Sequence, residues 1–152
     1  MKINDLLTSL KSNRASLESF LKVIEEQKNS LVKNDNKLLE EAIIREEKLL
    51  NNISSQQSKI IVLLKELSEE LNLNIEGNKF PKINDIIQAM EKKNRQEAGE
   101  LSLINASIKD VVTKIDTALR RNKILIDHSR NFIKDTITAL AKPSQPILDR
   151  KI

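Results

Sequence analysis

Ile3, Leu10, Leu17, Ile24 and Leu31 recur at strict seven-residue spacing, with Leu6 or Leu7 and Phe20 or Leu21 at intermediate positions. That three-and-four alternation is the seam of a helix packed lengthwise on another helix. Asn13 and Gln27 interrupt it, which predicts a partly hydrated seam. No Gly or Pro breaks the segment, so it reads as one helix over about 3–32. Asn34 can close that helix in a left-handed conformation, and Asp35 can cap the next. The second helix, about 36–73, carries a row of Leu39, Glu46, Ile53, Ile60 and Leu67. Its companion row is Ile43, Leu50, Gln57, Leu64 and Leu71. Two such helices joined by a turn of about three residues must lie antiparallel, as a hairpin.

The clearest break is Asn72 to Lys82, where Gly77 and Pro81 sit badly in a helix. A short helix over about 83–92 can pack Ile83, Ile86, Ile87 and Met90 over one end of the hairpin. The last helix, about 95–142, carries Leu101, Ile104, Ile108, Val111/Val112, Ile115, Leu119, Leu125/Ile126, Phe132/Ile133, Ile137 and Leu140. Gly99, near its start, is a candidate kink. Pro143 and Pro146 end it, and 143–152 reads as a flexible tail. The fold class is therefore all-α: an elongated antiparallel coiled coil, or three-long-helix bundle, with a short helix after the second helix. Residues 1–142 form one helical-bundle domain. At 1.5 Å per residue the long helices span about 45 to 70 Å, which leaves apolar stripes only half covered.

Composition supports this. Hydrophobic residues are 39% of the chain but aromatics only 2%, and Gly occurs twice. Slim aliphatic side chains between charged faces suit long helices, and scarce turn residues argue against sheets. The net charge of +4 is spread through interleaved acidic and basic residues. That is the pattern of solvated helix faces and not of a nucleic-acid-binding stripe. No Cys is present, and no stretch is apolar enough for a signal peptide or membrane insertion. A cytoplasmic protein, monomer or weak homodimer, is the expectation.

Candidate chemistry is sparse. His128 is the single histidine, and its neighbours Asp127 and Ser129 point about 100° apart on a helix, too far round for a relay. The pairs Glu40/Glu41, Glu46/Glu47 and Glu69/Glu70 fit solvated or seam positions better than catalytic ones. Two isolated glycines build no phosphate loop. The expectation is no enzyme, no metal and no cofactor. The last helix is less ordinary, because Ile124, Leu125 and Ile126 together cover more than one seam's width. Ile133, Ile137 and Leu140 continue a stripe, with Asn122, Ser129 and Thr136 beside it every seven residues. Either this helix lies in the middle of the bundle, or it offers a face to a partner helix.

This order of segments resembles the FlgN family of flagellar export chaperones. The residues that carry the resemblance are the Lys33-Asn34-Asp35-Asn36 join, Leu38/Leu39, and Glu47-Lys48-Leu49-Leu50. Near the end they are Asn122, Leu125-Ile126 and Ser129. The chain departs from the family at Ala118-Leu119, where relatives carry Leu-Asn, and at Phe132, where many carry Tyr or His. The resemblance implies a cytoplasmic chaperone for the hook-filament junction proteins FlgK and FlgL, whose C-terminal amphipathic helix docks on the last helix. It makes Asn122, Leu125, Ile126, Ser129, Ile133, Thr136, Ile137 and Leu140 the client-binding set. It also implies docking on the export gate protein FlhA through Phe132. The alternatives are a self-assembling structural coiled coil or other helical adaptor, and a basic nucleic-acid-associated protein.

Overall fold

Helix-compatible residues with few turn formers give four helices, and no strand among the described residues. They are α1 (Ile3–Lys33), α2 (Asn36–Glu70), α3 (Ile83–Lys93) and α4 (Arg95–Leu140). A computed structural model describes residues 2–73 and 81–140, with side chains as far as Asp127. Gly77 and the expected tail over 143–152 lie outside those residues.

Two asparagines close the hairpin helices. Asn34 takes φ 57° and ψ 37°, so that the Asp35 N–H donates to the Ser30 carbonyl at 2.9 Å. The Asp35 carboxylate then accepts the Leu38 N–H at 3.2 Å and starts α2. At the other end Asn72, with φ 53°, lets the Leu73 N–H reach the Ser68 carbonyl at 2.9 Å. These left-handed residues satisfy carbonyls that the helix ends would otherwise leave orphaned. Asn72 also explains why α2 stops at Glu70 and not at the expected 73.

α1 is the central helix. α2 lies antiparallel on it, with Lys2 paired to Glu66 at one end and Gln27 to Glu46 near the other. The Lys2–Glu66 hydrogen bond raises the pKa of Lys2 above the usual lysine value. α4 runs parallel to α1, since its start joins the cluster of Ile3 and Leu6, and Asn122 reaches Ile24. Successive long helices therefore alternate in direction. Among the described residues no Cα atoms of α2 and α4 come within 8 Å of each other, so the two backbones pack on α1 along separate lines. The middle position that the sequence left open for the last helix belongs to the first.

The expected α2 rows hold at Ile53, Ile60, Leu64, Leu67 and Leu71, and the α4 row at Leu101, Ile104 and Ile115, but toward the α1–α2 turn both seams shift by one helical position. On α2, Ala42, Ile53, Ile60 and Leu63 are buried, while Ile43 and Leu50 are 41% and 45% exposed. On α4, Val111 and Ala118 are buried, while Val112 and Leu119 are 47% and 40% exposed. The small Ala118 lets the α4 backbone approach α1, which turns the bulkier Leu119 outward. The polar positions of the α1 seam pair across it. Asn13, 4% exposed, donates to Gln56 Oε1 at 3.2 Å, and Gln56 Nε2 donates to Ser16 Oγ at 2.9 Å. The two amides and the hydroxyl thereby satisfy one another at the seam.

α3 seals the base of the bundle. Ile86, Ile87 and Met90 enter one cluster with Leu6, Leu67 and Leu101, and α3 touches both α2 and α4. The Asp85 carboxylate accepts the Lys82 N–H at 3.2 Å, and Asn94 Oδ1 accepts the Glu97 N–H at 3.3 Å to open α4. Gly99 does not interrupt α4, and a Cβ added there would meet nothing within 4 Å.

Candidate functional site

A bundle of three mutually packed helices has no lengthwise gap. This one has a gap along part of its length, because the α2 and α4 backbones stay apart on α1. At the base α3 spans the space between them. Nearer the α1–α2 turn nothing among the described residues fills it. There a groove of about 320 Å³ opens, with Leu17 and Phe20 as its floor. Leu50, Ile53 and Gln57 of α2 form one wall, and Val112 and Ile115 of α4 the other.

The rows that left the seams reach this groove at Leu50, Gln57 and Val112 and continue along the same helix faces beyond it. On α2 they are Ile43, Leu50 and Gln57. On α4 they are Val112, Leu119 and Ile126, each seven residues from the next, and Ile126 is 37% exposed. Residues seven apart stand on one helix face, so each wall carries a continuous strip and not scattered apolar atoms. Ile133 and Leu140 extend the α4 row at the same spacing in sequence.

The expected client-binding residues divide. Asn122 is 5% exposed, and its Nδ2 donates to the Ile24 carbonyl at 3.0 Å, so it faces α1 and not an incoming partner. This corrects its expected place on the open side. The cause is its seven-residue row, which continues Ile108 and Ile115 of the α1 seam. Leu125 is half-buried at the edge of that seam, and Ile126 is exposed. Ser129, Phe132, Ile133, Thr136, Ile137 and Leu140 are on α4, but their side chains lie outside the described residues, as does that of His128. Sequence reasoning missed the α2 wall, because Ile43 and Leu50 read equally well as seam. The signal that could have found it was the parallel row of Ala42, Leu49 and Gln56.

The groove offers little chemistry. Among the described residues no group of three or more His, Cys, Asp or Glu could hold a metal ion. Nor is any helix among them long and apolar enough to cross a membrane. The charges beside the α4 wall are exposed, and Arg120 pairs with Asp116 at 3.1 Å. Such pairs contribute about 0–1 kcal/mol each and do not close the groove. What the arrangement can do is bury a long apolar strip of another helix.

A family model described as FlgN protein matches residues 1–148. No curated protein matches the chain, and no solved structure matches it.

Proposed function

This chain belongs to the FlgN family of flagellar export chaperones, and from that premise we propose that it binds the C-terminal amphipathic helix of FlgK- or FlgL-like hook-filament junction proteins. Binding in the cytoplasm covers an apolar helix that would otherwise assemble too early, and the loaded chaperone delivers it to the export gate protein FlhA. The observation that carries this reading is the open apolar row Val112, Leu119 and Ile126 on a helix whose other face is already spent on α1.

The magnitudes suit a releasable complex. Fully burying a Leu, Ile or Val contributes about 1.5–3 kcal/mol, so each of these half-exposed side chains has about 1 kcal/mol still to gain. Ordering a disordered client helix costs about 2–5 kcal/mol. Burying the exposed apolar residues Ile43, Leu50, Val112, Leu119 and Ile126 thus gains a free energy of the same size as the ordering cost. The surplus comes from the client's own apolar face, and no nucleotide-driven step is needed to let go.

In this proposal the client set is Ile126 together with Leu125, Ser129, Ile133, Thr136, Ile137 and Leu140, while Asn122 holds α4 against α1. Phe132 is proposed as the gate contact. At the offset of 98 between Ile24 and Asn122, Lys33 at the end of α1 stands level with Asn131. α4 then continues about 13 Å beyond its partner helix, and that stretch begins at Phe132. Self-assembly through the α1 heptads is less well supported, since Leu17, Phe20 and Ile24 are buried within the chain by α2 and α4. The test is co-elution of the purified chain with a FlgK-like protein, intact or lacking its C-terminal helix. Co-elution with the intact form alone is expected, and equal co-elution with both would refute the proposal.

A further inference from the structure

α3 is an amphipathic helix of 11 residues, and it occupies the space between α2 and α4 at the base of the bundle. The space continues toward the α1–α2 turn, where its floor and both walls are mainly apolar, with Ser54 and Gln57 on the α2 side, and nothing among the described residues covers it. Resting on the chaperone reading, we propose that the client helix enters this α2–α4 groove as a fourth bundle helix, in line with α3. It would not lie on α4 alone. The interface it makes is the continuation of one that the chain already makes with its own α3.

The walls also give the occupant an orientation. Glu47 lies between Ile43 and Leu50 on the exposed face of α2, four residues after one and three before the other. Lys123 lies between Leu119 and Ile126 on α4 in the same way. Among the described residues neither is in an ion pair, whereas Asp116, the neighbouring position along the α4 wall, is held by Arg120. A helix in the groove therefore meets a negative edge on one side and a positive edge on the other. The matching client helix carries basic residues along the edge facing α2 and acidic residues along the edge facing α4. Reversing either wall charge should weaken binding by about twofold to fivefold, the range for rim ion pairs.

The chain has no cysteine, so single cysteines report position cleanly. Leu50→Cys on α2 and Leu119→Cys on α4 replace exposed side chains and should leave the helical circular dichroism unchanged. The probe is a synthetic peptide of the FlgK-like C-terminal helix with one cysteine moved along its apolar face. Disulfide formation from both chaperone positions, to opposite edges of the peptide, is expected. Cross-links from Leu119→Cys alone would overturn the groove position while leaving the chaperone reading intact. Failure of the unmodified chain to bind the peptide would instead remove that reading and this inference with it. For orientation, Glu47→Lys should lose affinity that a peptide with its basic edge reversed to acidic restores. Loss without restoration would overturn the assigned edges.

Discussion

The side-chain amide of Asn122 donates a 3.0 Å hydrogen bond to the backbone carbonyl of Ile24, tying α4 to α1. Beside this bond Arg121 stands 3.9 Å from Glu25. Deleting one buried hydrogen bond costs about 1 kcal/mol. Asn122→Ala should therefore lower the melting temperature by about 2–4 °C for a chain of this size, read by thermal circular dichroism. Client affinity should hold within about twofold. A large loss of affinity with no change in melting would place Asn122 on the client face instead.

Groove and core residues should separate in mutation. Leu119→Asp and Ile126→Asp put a charge on an exposed wall, so stability should change by less than about 1 kcal/mol while client binding falls at least about tenfold. Leu101→Ala, at a fully buried position, should cost about 2–5 kcal/mol. Half-buried Leu125→Asp should damage both properties. Paired urea unfolding and binding titrations distinguish the three outcomes.

Positive φ at Asn34 gives a sharper local test. Asn34→Gly should be nearly neutral, because glycine adopts the left-handed region freely. Asn34→Val should cost about 1–2 kcal/mol, since a β-branched residue resists that conformation. Unfolding midpoints measure both. Equal stabilities for the two variants would mean that the turn does not depend on this geometry.

The Asn13–Gln56–Ser16 network predicts a specificity role. Asn13→Ala should cost about 1–2 kcal/mol by leaving Gln56 without one of its partners. Asn13→Leu combined with Gln56→Leu should recover that stability but loosen the hairpin's register and admit oligomers. Sedimentation velocity reads the difference, and a strictly monomeric double variant would show that the polar layer does not select the pairing.

Heptad spacing made the helices legible, and Asn34-Asp35 made the first turn legible, because both depend on local geometry. Whether Leu49 or Leu50, and Ala118 or Leu119, faces the seam was not. Neighbouring rows on one helix are equally apolar, and the choice depends on how closely α1 can be approached. Small Ala42 and Ala118 decide it by admitting the backbone, an effect that hydrophobic counting ranks below Ile43 and Leu119. Asn122 was misplaced for a related reason. A polar residue in a seven-residue row looks open to a partner until its carbonyl acceptor is seen on α1.

Calorimetric titration of the isolated FlgK-like C-terminal helix into the purified chain is the most direct measurement. Docking in an apolar groove predicts saturation at one helix per chain, a negative heat-capacity change, and a gain of helical signal on mixing. Absence of binding by the helix, with the intact junction protein still bound, would contradict it.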